Sequence, residues 1–405
     1  MTKYFKVVLL INPSRKYTQG ILSGIARYSR VRGMWNFYRP LDYREKKAKR
    51  NLLQVMEDLK PDGILMREPP EIDKIIKMNI STVIFPYTRE TFPKVANAIV
   101  DHVAVGKMAA RHFLDRGFRH FAFIGFEDWW WSLKRKEGFQ QTLQQAGYEI
   151  LTYSSVTKKR LKWSDELPRI ADWIRSLPKP IAVMACNDDR GELVIEACKI
   201  ANVHVPDEVS VIGVDNDQLV CDLCNPPLSS ISLSLEKSGY EAAKLLDQLM
   251  SKKLETPHNI YIVPIRVVTR RSSDILAIDD KEVATAVRFI QNNIKKNLCV
   301  SDVVDNVALS RRVLEKRFRQ LLNKSIHVEI KQNRIKLMEQ MLYDNTMSIM
   351  EIAHELNFND VTHFSRYFHK EKGLSPSKYR KKFCLFNNYP HDSLLDDKTN
   401  LRFPK

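Results

Sequence analysis

Glycine, proline and cysteine are scarce here: 13, 18 and six among 405 residues. So little glycine and proline excludes a collagen-like or low-complexity chain. The cysteines, at 186, 198, 221, 224, 299 and 384, are too scattered for a disulfide framework and are expected to be reduced in a cytoplasmic protein. Cys221 and Cys224 form a Cys-x-x-Cys with no second ligand pair, so the pair reads as structural and no metal is expected. The apolar run at residues 7–11 spans only five positions, and no other stretch approaches the length of a membrane span. Also absent are His-Glu-x-x-His, a phosphate-cradling Gly-x4-Gly-Lys-Ser/Thr loop and a Gly-x-Ser-x-Gly nucleophile turn. An enzyme is therefore not expected, and no cofactor is implied.

What is present is positive charge and apolar periodicity. Lysine and arginine outnumber aspartate and glutamate 65 to 48, for a net charge of +17. Such an excess favours a polyanionic partner. It is concentrated toward one end, for residues 281–385 hold 20 basic residues against 11 acidic ones. The hydrophobic content, 44% over 405 residues, suffices for two or three folded domains.

Residues 348–380 read SIMEIAHELNFNDVTHFSRYFHKEKGLSPSKYR. Ser348 with Glu351 three residues on is a capping box, and Ile349, Ile352, Ala353 and Leu356 form one helical face. Asn357 suits a left-handed stop, and Asp360 suits the next N-cap. The second helix buries Val361, Phe364 and Phe368, presents Thr362, His363, Arg366 and Lys370, and ends at Gly373 and Pro376. This is a helix-turn-helix pattern.

Residues 301–322 repeat it. Ser301 is the expected cap of a helix burying Val303, Val304 and Val307, and Ser310 that of a helix burying Leu314, Phe318 and Leu321. Arg312, Glu315, Lys316 and Arg319 share the outer face of the latter. A long helix near 328–342 joins the two units, and a helix at 281–295 precedes them. Arg312, Glu315 and Lys316 are the candidates for one major groove of double-stranded DNA. Thr362, His363 and Arg366 are those for the next, roughly 34 Å along the duplex. Arginine suits guanine, and glutamate suits cytosine. Arg319, Lys370 and Arg380 are expected to meet phosphates or water.

On Leu314, Phe318, Ile352, Ala353, Phe358, Phe364, Phe368, Gly373, Ser375, Pro376, Tyr379 and Arg380, residues 281–383 resemble the DNA-binding domain of AraC/XylS transcription regulators. Asn357 and Ala308 stand where that pattern often has glycine, and Val304 where it often has alanine. The resemblance implies operator DNA as a partner. It also implies activation more often than repression, with RNA polymerase as a further partner.

Upstream, strands and helices alternate, which predicts a parallel sheet. Strands are expected at 7–11, 35–38, 63–66 and 81–85, with helices at 17–28, 52–59 and 72–78 between them. The pattern restarts with helix 103–115, strand 120–125, helix 135–146, strand 181–185, helix 191–201, strand 209–214, helix 239–250 and extended segments within 259–268. Four stretches, DRGFRHFAFIGF (115–126), MACNDDRGE (184–192), VPDEVSVIGVDND (205–217) and PPLSSISLSLEKSGYEAAKLLDQLM (226–250), resemble the LacI/GalR sensor domain. That implies an α/β, type I periplasmic-binding-protein-like sensor of two lobes, with chain crossings near Ile99, Ser230 and His258. The fold class is this sensor followed by an all-α double helix-turn-helix domain. The expected layout is a sensor over 1–272, a linker at 273–280, the DNA-binding domain over 281–383 and a tail over 384–405.

By the same resemblance Arg135, Asn187 and Asp215 match ligand contacts. Arg135 would donate to adjacent sugar hydroxyls, and Asp215 would accept from others. Asp188 is a ligand contact or a helix cap. In the first lobe Asn12, Tyr17, Arg67 and Glu68 border strand ends, where open α/β sheets place ligands. One of Trp129–Trp131, expected on a loop, is the candidate cleft wall; which of the three is left open, with Trp130 taken as the site residue. The expectation is thus a cytoplasmic, dimeric regulator of a carbohydrate operon. Its effector would be a monosaccharide, with pentoses such as xylose foremost. The rival is a sugar-binding or scaffold protein that no longer binds DNA, which the departures in the first helix-turn-helix allow.

Overall fold

Strand β1 (Phe5–Leu10) buries Val7, Val8, Leu9 and Leu10 in succession, the pattern of a strand covered on both faces. The chain, a computed structural model, is described over residues 4–31, 35–40, 52–153, 163–254, 257–278, 280–344 and 346–383. It divides into two units, Met1–Ala277 and Ile278–Lys405. The expected tail at 384–405 lies outside the described residues.

In the first unit β1 is followed by α1 (Lys16–Val31), β2 (Trp35–Tyr38), α2 (Leu52–Leu59), β3 (Gly63–Met66), α3 (Ile72–Lys77), β4 (Ser81–Ile84) and β5 (Ala96–Val100). Then come α4 (His102–Leu114), β6 (His120–Ile124), α5 (Trp130–Gln145), β7 (Ile150–Tyr153), α6 (Trp163–Ser176), β8 (Ile181–Ala185), α7 (Asp188–Ala201) and β9 (Val209–Val214). The unit closes with α8 (Gln218–Leu223), β10 (Ser229–Leu233), α9 (Leu235–Met250), β11 (Ile260–Ile262) and β12 (Pro264–Val268).

These strands make two sheets, ordered β11-β5-β4-β3-β1-β2 and β12-β10-β9-β8-β6-β7. Every pairing is parallel except β10 with β12. Strand order reverses at β1/β3 in one lobe and at β6/β8 in the other, which fixes a crevice at the carboxyl ends of each set. The chain passes between lobes after Val100, after Leu233 and at Val263; the third passage comes later than the sequence suggests.

Each lobe is clamped by one tight helix pair. A Cβ on Gly24 of α1 would lie 1.9 Å from Glu236 O of α9, and one on Gly239 of α9 would lie 2.1 Å from Ile21 O. The second lobe repeats the device: a Cβ on Gly106 of α4 would lie 2.1 Å from Arg135 O, and one on Gly138 of α5 would lie 2.0 Å from Val103 O. Both obstacles are backbone, so the helices themselves must part. Gly138→Ala is expected to cost about 1–3 kcal/mol, read as a lower denaturant midpoint at unchanged slope.

The second unit is helical: α10 (Lys281–Asn293), α11 (Val300–Val304), α12 (Arg311–Leu322), α13 (Ile326–Asp344), α14 (Ile349–Glu355), α15 (Val361–Lys372) and α16 (Pro376–Phe383). Its boundaries are written in its caps. Ser348 and Glu351 complete the capping box, and Asp360 accepts from His363 N. Asn357 and Gly373 take φ of 54° and 70°. At α11 the N-cap is Cys299 rather than Ser301, because Asp302 accepts from Cys299 N at 2.8 Å and starts the helix earlier. Phe364 and Phe368 are fully buried one turn apart, each contributing about 1.5–3 kcal/mol.

Candidate functional site

A cavity of about 600 Å³ opens between the lobes, within the range of roughly 300–1,000 Å³ usual for small-molecule sites. Its walls come from residues just beyond strand ends: Arg67 and Glu68 after β3, Tyr87 after β4, Phe126 after β6, Asn187 after β8 and Asp215 after β9. Sheet topology, not sequence proximity, brings them together.

Arg135 and Asp215 form the floor. Arg135 is 3% exposed and donates through Nε to His102 Nδ1 at 3.2 Å and through Nη1 to Cys186 O. Its Nη2 reaches Asp215 Oδ1 only at 3.4 Å. Two of its three nitrogens are thus fixed, and the third faces the cavity in a long, weak pair. His102 is held well below the ordinary histidine range by burial and then by Arg135, so its ring stays neutral and Nδ1 accepts. Withdrawal from bulk water raises the Asp215 carboxyl, opposed by Arg135 and Arg67. Asp215 also holds φ at 104° and Asn216 at 49°. Side chains rarely adopt that backbone, and it persists where surrounding structure enforces it, most often at functional sites.

The other expected contacts divide. Tyr17 lines the cavity, and burial pushes its hydroxyl up to about 12. The Arg67 guanidinium lies over the Tyr17 and Tyr87 rings, 5.2 and 4.4 Å from their centroids, with no ion pair among the described residues. Asn187 lines the cavity but spends its carbonyl capping α7, accepting from Arg190 N at 3.0 Å. Asp188 is buried beneath it and accepts from Ser230 Oγ at 2.5 Å and Asp217 N at 2.7 Å. Burial raises its carboxyl well above the usual range. Glu68 turns to the backbone amides of Tyr87 and Thr88.

Two expectations fail on geometry. Asn12 stays outside the lining, accepting from Ser14 N at 3.0 Å. Trp130 is also outside it: its Nε1 donates to Tyr87 O at 2.9 Å, while Trp129 and Trp131 line the cavity. The cause is that α5 starts a turn earlier than its apolar pattern suggests, which puts Trp130 in a helix and rotates it away. Among the cavity features with no counterpart in the sequence expectations are Tyr87, His102, Phe126 and the buried Arg190–Glu166 pair at 2.8 Å. Of these Arg190, three residues after Asn187, carries a signal: it falls in the first turn of the helix after a strand end.

In the helical unit Arg312, Lys316, Thr362, His363 and Arg366 are exposed, on α12 and α15. Glu315 is half-buried and ion-paired, 3.2 Å from Arg311 and 4.0 Å from Arg319. Arg380, expected at phosphate or water, is instead 2% exposed and donates to Met347 O at 2.7 Å. The two helix-turn-helix units are tied by Arg334, 6% exposed, which donates to Asn297 Oδ1 at 2.6 Å and to Leu356 O at 2.7 Å. Asn357 Nδ2 adds a bond to Lys295 O at 3.2 Å. This knot joins the segment before α11 to the end of α14.

Residues 110–273 match the periplasmic binding protein-like domain and residues 303–382 a helix-turn-helix domain. The chain is a DNA-binding transcription regulator whose sensor, of periplasmic-binding-protein type, precedes its helix-turn-helix reader. It is similar to the xylose operon regulatory protein of Escherichia coli, 28% identical over 391 residues, which covers 94% of this chain and 97% of that one. The protein of the same name in Haemophilus influenzae is also 28% identical, over 93% of this chain and 98% of its own. A solved structure of a xylose-binding transcription activator superposes with a TM-score of 0.59 at 26% identity, covering 94% of this chain and 99% of that one. These relatives are transcription regulators. Among the described residues no helix is long and apolar enough to cross a membrane, and no group of metal-ligating side chains occurs.

Proposed function

We propose that the sugar to which this DNA-binding, sugar-responsive transcription regulator answers is a pentose, D-xylose foremost, and that the protein activates a pentose-utilisation operon. The observation that carries the reading is similarity spanning sensor and reader in one order, to regulators of a xylose operon, over 94% of the chain. The cleft supports it. Arg135 Nη2 and Asp215 offer a donor and an acceptor about one hydrogen-bond length apart, the pairing that adjacent sugar hydroxyls satisfy. Trp129 and Trp131 offer apolar faces to the sugar's C–H surface. Tyr17 and Arg67 complete the set from the first lobe, and Asn187, Asp188 and Glu68 line the cavity beside them.

In this reading Arg312 and Arg366 read bases in successive major grooves, helped by Lys316, Thr362, His363 and Glu315. The protein works in the cytoplasm as a homodimer and recruits RNA polymerase. The sensor spans 1–272, the linker 273–280 is packed on it as far as Ala277, and the reader spans 281–383.

Thermal shift of the purified protein against pentoses, hexoses and their phosphates tests the effector. A pentose at 100 times its dissociation constant stabilises by about 2.7 kcal/mol, a clear rise in melting temperature. A shift with a hexose or a phosphate and none with any pentose would refute the assignment.

A further inference from the structure

The turn that carries Asp215 is joined by hydrogen bonds to the segment by which the chain leaves the sensor. After β12 ends at Val268, the chain passes through a single 3-10 turn, Arg271–Ser273, and the first unit ends at Ala277. Arg270 stands at the start of this segment with its side chain 16% exposed. Its Nη1 donates to Asn216 Oδ1 and to Leu228 O, both at 3.0 Å, and its Nε to Asp222 Oδ1 at 3.0 Å. Its backbone amide donates to Ser229 Oγ at 2.8 Å, and that hydroxyl lies 2.8 Å from Arg270 O.

Asn216 is no ordinary acceptor. It follows Asp215, whose φ of 104° is kept only where neighbours over-determine it, and is itself left-handed at 49°, a conformation asparagine adopts readily. Those neighbours are identifiable. Ser230 Oγ accepts from Asn216 N at 2.9 Å, Asp188 accepts from Asp217 N at 2.7 Å, and Arg270 grips the Asn216 side chain. The same Arg270 begins a run bonded to the second lobe, by Ser272 Oγ to Val211 O at 2.7 Å, Ser272 N to Pro227 O at 3.0 Å and Ala277 N to Arg116 O at 2.8 Å. The carboxylate of Asp222 is half exposed, so that ion pair contributes little. The bond to Asn216 joins the cleft turn directly, side chain to side chain, to the exit segment.

We propose that Arg270 is a positioning residue that holds the Asp215–Asn216 turn in effector-binding geometry and transmits a change in that turn to the segment leading to the reader. The effector half of this rests on the sugar reading of the cleft; the link from Asn216 to residues 270–277 does not. A ligand seated on Asp215 bears on Asn216, Asn216 on Arg270, and Arg270 on the backbone that continues toward the DNA-binding domain.

The test uses the full-length protein and two variants. Asn216→Gly deletes the acceptor while leaving a residue at home at positive φ. Asp222→Ala deletes only the surface ion pair. In hydrogen–deuterium exchange without sugar, the amides of residues 270–277 exchange about tenfold faster in Asn216→Gly, the loss of one bond to a charged donor, and stay unchanged in Asp222→Ala. With D-xylose, Asn216→Gly binds the sugar about tenfold more weakly, and the ratio of DNA affinities with and without saturating sugar falls toward one. Unchanged exchange at 270–277 in Asn216→Gly overturns the proposal, as does a full wild-type ratio in that variant at saturation. If no pentose shifts the wild-type protein, the sugar reading fails on its own account, and the exchange comparison still decides the link.

Discussion

Replacing Arg312 and Arg366 together by alanine is expected to weaken binding to a specific DNA site by about 2–6 kcal/mol, from roughly 30-fold to more than 10⁴-fold. The two residues lie on different helices, each exposed and without an ion pair among the described residues, so neither is committed to holding the fold. Their effects should add, because they serve separate half-sites. Loss through lost base contacts leaves non-specific binding and its salt dependence largely in place, whereas loss through unfolding removes both. Fluorescence anisotropy over a salt series separates these outcomes, with sugar-induced melting shifts as the check on the sensor. The rival, a sugar-binding protein that no longer reads DNA, predicts no site-specific loss to measure. Arg334→Met should mimic the defect from within. Without the bonds to Asn297 and Leu356 the segment before α11 is no longer tied to the end of α14, and two-half-site binding suffers more than half-site binding.

Arg135→Ala is the second large effect. The side chain is almost fully buried and fills three demands at once: His102 Nδ1, Cys186 O and Asp215. Its removal leaves the Cys186 carbonyl without its donor, which costs about 1–3 kcal/mol of sensor stability, while the quarter-exposed Asp215 loses only a long pair. It also abolishes the sugar-induced melting shift. Asp215→Asn separates the two consequences. The amide keeps the shape and gives up the charge, so sugar affinity should fall about 10- to 150-fold with little loss of fold. Calorimetric titration of both variants reads this directly. Retained affinity in Asp215→Asn would remove that residue from the site.

The residues behind both effects are legible in the amino-acid sequence, by different routes. The helix-turn-helix units are local: Ser348, Glu351, Asn357, Asp360 and Gly373 each act within a few residues of where they stand, so caps and turns can be read directly. Strands and helices with apolar periodicity are equally visible. Some that escape such reading lack it, though α6, with Leu167, Ile170, Ala171 and Ile174 at helical spacing, does not. Strand β10 is Ser-Ser-Ile-Ser-Leu, and its buried Ser229 and Ser230 are satisfied by Arg270, Ser272 and Asp188 from distant parts of the chain. Helix α6 and strand β7 escape as well, and the early start of α5 misplaces Trp130. Arg135 and Asp215 are legible only through family resemblance. Tyr87 and His102 enter the cavity because β4 and α4 deliver them there, and no local pattern announces that. Arg380 illustrates the converse: a basic residue in a basic stretch, it points inward to cap Met347.

The most direct measurement is the affinity of the full-length protein for a duplex selected from a random library, with and without saturating D-xylose. A sensor coupled to its reader predicts a change of about 5- to 150-fold, equivalent to a coupling of about 1–3 kcal/mol. Equal affinities in the two titrations, with the sugar shown bound by its melting shift, would contradict the account.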